Sequence, residues 1–286
     1  MAKLRLELRH FWPLTAWGKA DSNDVRALQR RAIREAGLTS PGTSQYASDL
    51  MATDRLESDL VGGLLGLIVH DLRNPLSALH SNASFLQTSR DTSSDDAKEA
   101  LEDVSASCEA LGHIIDNVEL LSLALRGERR FEQNSFTVRE LIADSLSRSR
   151  SLAVSYGVRV EFTPSADADL KLATSREMLG RALGNLIKNG IQHAQDGLPV
   201  RISARAEPSR VVVLVEDGGA RVADEFEEKA FTAEGQVSAK GQVGARYSRG
   251  IGLYAARLAA EASGAEVRAV APAGGSGNAF ELSIAL

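Results

Sequence analysis

Among the chain's five histidines, His70 alone is followed at once by an acid, Asp71, and five residues on by a proline, Pro75. An imidazole attacks well when one ring nitrogen is free and the other keeps its proton and is held in place. A neighbouring carboxylate can hold that N–H and stabilise the charge that develops on attack, and Asp71 is the candidate. His70 stands two residues after Ile68 and two before Leu72. Two residues turn a helix by about 200°, so this imidazole points away from the apolar side and can meet a substrate. Pro75 removes a helical hydrogen bond and is expected to kink or loosen the helix. His10, His80 and His113 lack such neighbours and read as solvated side chains.

A second cluster lies in residues 183–194. Asn185, Asn189, Gln192 and His193 fall at helical spacings of three and four and share one polar stripe. Leu183, Leu186, Ile187 and Ile191 make the opposite stripe. Asparagine is a poor residue in mid-helix because its amide competes for backbone hydrogen bonds. Two of them at i and i+4 point to a ligand or metal duty. Magnesium prefers oxygen and keeps several waters, so one side-chain carbonyl plus nucleotide phosphates would satisfy it.

A third group follows an apolar run, 211–215, that ends in Glu216-Asp217-Gly218-Gly219-Ala220. A carboxylate at a strand end, followed by glycines, can receive an adenine amino group while the backbone approaches closely. Alone, D-G-G is also a common turn. Residues 220–249 are rich in Gly, Ser and charge and read as a lid, with Phe226 and Phe231 inside it and Lys240, Arg246 and Arg249 as cations able to reach phosphates. Gly250-Ile251-Gly252-Leu253 then opens a helix. Glycines there expose backbone N–H groups and the positive dipole end to an anion.

The elements that must carry these groups follow from periodicity. Val61, Leu65, Ile68, Leu72, Leu76, Leu79, Ala83 and Leu86 recur in steps of three and four, as do Ala97, Leu101, Val104, Cys108, Leu111, Ile115 and Val118. The pattern predicts two amphipathic helices with a near-heptad seam, the second capped by Ser93 with Asp96 and stopped at Gly127. One hairpin has too little interior to bury its stripe, so a second copy is expected to complete a four-helix bundle. Beyond residue 131, strands are predicted at 135–138, 158–162, 170–173, 200–204, 211–215, 266–270 and 280–285, with helices near 140–156, 176–194 and 253–262. The order is not regular βαβ, and it predicts an α/β sandwich with helices on one face of a mixed sheet. The expected divisions are 1–53, an accessory segment with a helix near 23–36 and a turn-rich linker; 54–127, the hairpin; and 128–286, the α/β domain.

A net charge of −5 over 286 residues gives no footprint for nucleic acid. One cysteine excludes an internal disulfide and fits a reducing compartment. No apolar run approaches the roughly 20 residues a bilayer span needs. Arg9, His10 and Pro13 interrupt any signal-peptide core. The expectation is a cytoplasmic protein without a transmembrane segment.

The run His70-Asp71-Leu72-Arg73-Asn74-Pro75-Leu76 resembles the H-box of sensor histidine kinases. The 183–194 run is similar to the N-box of those kinases and of their GHKL ATPase relatives, 217–219 to the G1 box, Phe231 to the F-box position and 250–253 to the G2 box. Gly277-Asn278-Ala279-Phe280 resembles the family's last turn before its closing strand. The resemblance covers roughly residues 55–286, in the family's order. It implies phosphorylation of His70 from ATP, Asp71 as base or orienting acid, and Asn74 positioning water for dephosphorylation of a partner. It implies Asn189 as a Mg²⁺ ligand, and Asn185, Gln192, His193, Asp217, Gly219, Gly250, Gly252 and Leu253 as the nucleotide site. The phosphoryl group would pass to an aspartate of a separate response regulator receiver domain.

Three positions depart from the pattern: Gln192 where a lysine or arginine is frequent, Arg221 for the last G1 glycine, and Ser248 for the leading G2 glycine. They favour an alternative, a degenerate or phosphatase-biased module. A GHKL-type ATPase ranks third, because Asn185 stands where those relatives carry the glutamate that activates water.

Overall fold

The computed structural model describes residues 41–89, 94–127, 131–195, 197–221, 228–238, 250–272, 274 and 276–286, with the helix backbone alone described over 41–58. The sequence expectations for 23–36, Ser93, Phe226, Lys240, Arg246, Ser248 and Arg249 lie outside these residues. Two compact units are present, Met1–Asp59 and Leu60–Leu286.

The described part of the first unit is helical and belongs to α1, Pro41–Thr88. The helix therefore starts inside the stretch read as a linker. Proline is compatible with a first helical turn, where its missing N–H is not needed. The second helix, α2, spans Asp95–Leu125. Its cap is Ser94, whose side chain accepts from the Ala97 amide at 3.3 Å. Gly127, at φ 69°, follows the C-cap Arg126 and ends it as expected.

The apolar stripes of the hairpin coincide only in part with the heptad count. In α1 the buried side chains are Leu64, Leu67 and Ile68, while Val61, Leu65, Val69 and Leu76 are exposed. In α2 Ala100, Ile114, Leu120 and Leu121 are buried, while Leu101, Ile115 and Val118 are exposed. Each helix thus carries two apolar stripes. Of the expected seam, Ile68 and Ala97 are buried within the chain, while Val61, Leu65, Leu76, Leu101, Ile115 and Val118 remain uncovered.

The α/β portion comprises β1 (Asn134–Thr137), α3 (Val138–Arg148), α4 (Arg150–Ser155), β2 (Val160–Thr163), β3 (Lys171–Thr174), α5 (Arg176–His193), β4 (Val200–Glu207), β5 (Arg210–Asp217), α6 (Ala233–Ser238), α7 (Gly252–Ala262), β6 (Ala265–Val270) and β7 (Asn278–Ala285). Five strands form a sheet in the order β2-β4-β5-β7-β6. The β2–β4 pair is parallel and the others are antiparallel. This is the mixed sheet the strand order implied. Strands β1 and β3 pair separately.

The helix expected over 140–156 is broken in two at Ser149, where the Ser145 and Ser149 hydroxyls donate to carbonyls one turn back, at 2.9 Å each. Such back-bonding competes with the helical ladder. Strand alternation divides the sheet. Val200, Ile202, Val211, Val213, Val215, Phe280, Leu282 and Ile284 join α5 and α7 residues in one core. On the other face Glu281, 2% exposed, accepts from Arg205 at 3.0 Å, Arg268 at 2.6 Å and Ser283 at 2.9 Å.

Candidate active site

The hairpin docks on the α/β portion through a second apolar cluster. Leu64, Leu67 and Ile68 of α1 and Ile114 and Leu121 of α2 pack with Ala233 at the start of α6 and Ile251 just before α7. A polar clasp lies beside it. Asn117 of α2 and Asn185 of α5 exchange both amide hydrogen bonds, Nδ2 to Oδ1 at 3.0 Å and 2.9 Å. Arg181, one turn earlier on α5, donates to the Asp116 carbonyl at 3.2 Å and to Glu119 at 2.7 Å.

This docking brings the histidine motif against the polar face of α5. A cavity of about 700 Å³ is lined by His70, Asp71 and Asn74 from α1, by Asn185, Lys188, Asn189, Gln192 and His193 from α5, and by Gly250, Gly252 and Leu253 at the start of α7. Ten of the twelve site residues read from sequence therefore meet in one place. Asp217 and Gly219 do not line it. Asp217 is buried beneath α5, 3.7 Å from where a Cβ on Gly190 would stand. Its Oδ1 accepts from the Gly219 amide at 2.8 Å and from Asn278 Nδ2 at 3.0 Å. Gly277, at φ 84°, brings this last turn against the Asp217 carbonyl, and any side chain there would collide with it.

The imidazole of His70 is 56% exposed, and its Nδ1 lies 3.5 Å from Asp71 Oδ1. The outward orientation read from helical phase holds. With Nδ1 turned to the carboxylate, Nε2 is the nitrogen left for a substrate. Burial raises the Asp71 pKa above the ordinary carboxylate value, opposed by its hydrogen bond to His70 and by the charge of Lys188. Burial likewise lowers the Lys188 ammonium, opposed by Asp71. The helix continues through Pro75, whose missing N–H leaves the Asp71 carbonyl without its usual helical donor. Asp71 also packs against Gly250, where a Cβ would strike the carboxylate oxygen. A side chain at Gly250 would therefore displace the Asp71 carboxylate from this position.

The start of α7 suits an anion. Its N-cap, Ile251, offers no side-chain hydrogen bond, so among the described residues the first amides of the helix keep no side-chain cap. Asn189, 8% exposed, has an amide nitrogen with no hydrogen-bond partner among the described residues. Phe231, at the F-box position, is buried edge-on against Phe280 with ring centroids 6.0 Å apart. His80 is exposed as expected, whereas His113 is half-buried, its pKa lowered by burial and by the charge of Lys188. Residue spacing assigns no role to Lys188 or Asn117, and marks Asn278 only as part of a turn. Lys188 carried a signal, a cation one residue before Asn189, whereas nothing local marks Asn117 as the partner of a residue in another element.

A helical hairpin that presents a histidine to an α/β portion is the arrangement expected of histidine kinases, and comparison with known proteins agrees. The family model for the His Kinase A (phospho-acceptor) domain matches residues 61–125. The model for the Histidine kinase-, DNA gyrase B-, and HSP90-like ATPase matches 174–286. The chain belongs to the sensor histidine kinases of two-component signal transduction.

Sensor protein KdpD of Mycobacterium tuberculosis is 28% identical over 268 residues, 93% of this chain and 31% of the relative. The sensor-like histidine kinase SenX3 of Mycobacterium bovis is 26% identical over 164 residues, 57% of this chain and 39% of the relative. The chain thus spans between 31% and 39% of the length of these two relatives. Two solved structures share its fold. Histidine kinase AdeS of Acinetobacter baumannii has a TM-score of 0.50 at 18% identity, covering 76% of this chain and 97% of that one. Histidine kinase ThkA, solved in complex with response regulator protein TrrA, has a TM-score of 0.51 at 17% identity, covering 86% and 67%. Among the described residues no helix is long and apolar enough to cross a membrane.

Proposed function

We propose that this chain is an autokinase that moves the γ-phosphoryl group of ATP onto Nε2 of its own His70 and then to an aspartate on a separate response regulator. The observation that carries the proposal is the shared cavity: the exposed imidazole and the Asn189 face of α5 line the same space. In the transfer, the Nε2 lone pair forms a bond to the γ-phosphorus as the bond from that phosphorus to the bridging oxygen of ADP breaks. ADP leaves with the electron pair. The Nδ1 proton stays on the ring, facing Asp71, whose carboxylate offsets the positive charge the ring acquires. Positioning and charge neutralisation supply most of the catalysis in such a step.

The nucleotide is held by Asp217 and Gly219 at the adenine end and by the α7 amides at Gly250, Gly252 and Leu253 at the phosphates, with Gln192 and His193 beside them. Asn189 fits a magnesium ion, since among the described residues its side chain makes no hydrogen bond and its amide oxygen would be free to ligate, with nucleotide phosphates supplying further oxygens. When bound, the ion neutralises phosphate charge. Asn185, one turn before Asn189, would stand in the shell around it once released from Asn117, and Asn74 orients water for dephosphorylating the partner. The exposed seam of the hairpin is covered by a second copy, and the chain works in the cytoplasm as residues 54–127 and 128–286 acting together.

The Asn117–Asn185 clasp supports a second reading. An N-box amide already engaged by the hairpin suits a phosphatase-biased module, as do Gln192 and Arg221. Incubation with γ-labelled ATP separates the two. The autokinase gives acid-labile, alkali-stable label that disappears in His70→Gln. An ATP-binding chain that acquires no label belongs to the second reading.

A further inference from the structure

Lys188 has no role in the scheme above. It precedes Asn189 on α5 and lines the cavity together with His70 and Asp71. Among the described residues lining that cavity it is the one lysine or arginine, against two acids, Asp71 and Asp103. Asp71 attracts it across the cavity, yet among the described residues its ammonium enters no hydrogen bond and no close ion pair. A cation drawn partly out of water without a direct counter-ion is costly until an anion reaches it. The same cavity is lined by the exposed imidazole of His70 and by Gly250, Gly252 and Leu253 at the start of α7. The groups that feel its charge, Asp71 and His113, both belong to the hairpin.

We propose that Lys188 is a catalytic residue of the phosphoryl transfer: its ammonium donates to the γ-phosphoryl oxygens as that group passes from nucleotide to His70. The inference rests on the autokinase reading. Charge on the travelling group is spread over three equatorial oxygens, and a fixed donor aimed at them acts more strongly in the transition state than in the bound nucleotide. An ammonium in the cavity shared by His70 and the start of α7 can serve that path, while adenine and the helix terminus anchor the ground state without it.

The test compares the full chain with Lys188→Met and Lys188→Arg. It measures the initial rate of His70 labelling at saturating ATP, the KM for ATP, binding of a non-hydrolysable ATP analogue and the unfolding temperature. Lys188→Met is expected to lower the maximal rate on the order of a hundredfold, with KM and analogue affinity within about twofold of the parent. Lys188→Arg is expected to recover a substantial part of the rate. Undiminished labelling in Lys188→Met overturns the proposal. So does a loss that appears equally in analogue affinity, or one that arginine does not relieve and that accompanies a lowered unfolding temperature. An unlabelled parent chain removes the autokinase reading and this inference with it, whereas a labelled parent with an equally active Lys188→Met removes the inference alone.

Discussion

Asp71 sits between two demands. Its carboxylate must be ionised to hold the His70 N–H and to offset imidazolium charge, yet burial pushes its pKa up. The native chain therefore holds this proton more tightly than the unfolded chain, and stability is lost as pH rises from the ordinary carboxylate value through the raised one. Activity runs the other way, being lost as pH falls through that raised value. Labelling of His70 is expected to decline on the acid side at a pH above the ordinary carboxylate range. Asp71→Asn should lower the rate by about two orders of magnitude, in the range general acid–base groups supply, and flatten that acid limb. A pH–rate profile of the two proteins checks this, and an unchanged limb in Asp71→Asn would assign it to another group.

At the scale of elements, the site exists because α1, α2, α5 and the start of α7 converge, and that convergence depends on contacts between distant segments. The Asn117–Asn185 pair links residues 68 positions apart through two hydrogen bonds. Asn117→Ala is expected to cost about 1–2 kcal/mol, because it leaves the Asn185 amide short of partners in a half-buried place. Chemical denaturation of the full chain measures it, and no change in midpoint would mean that water replaces the clasp.

These contacts also explain what the sequence discloses and what it conceals. The helical phase of His70, the polar stripe of α5, the stop at Gly127 and the mixed sheet were legible because each follows from local periodicity or turn chemistry. Asn117 was not, since a polar residue on an amphipathic helix looks solvated until its partner is known. The break at Ser149 was hidden because serine back-bonding cannot be read from spacing, and the start of α1 at Pro41 because prolines open helices as well as end them. The 217–219 box was recognisable as a motif, but its burial beneath α5 follows from the packing of Gly190 and Gly277, outside the motif itself.

For the whole molecule, the hairpin carries more apolar surface than one chain covers. Val61 (43% exposed), Leu65 (55%), Leu101 (52%) and Ile115 (64%) fall at the seam positions that the heptad spacing reserves for a second copy. Light scattering at micromolar concentration is expected to give twice the 30.6 kDa of one chain. Ile115→Glu, which sets a charge into that seam, should shift the mass toward a single chain. A parent chain that is already monomeric would leave the exposed stripe without this explanation.

The central claim is that one ring nitrogen of His70 faces a nucleotide held on α5 while the other faces Asp71. Locating the phosphate on the labelled protein, by peptide mapping under alkaline conditions and phosphorus NMR of the phosphohistidine, tests it most directly. A single phosphoryl group on Nε2 of His70 is expected. Phosphate on Nδ1, or on any residue other than His70, would contradict it.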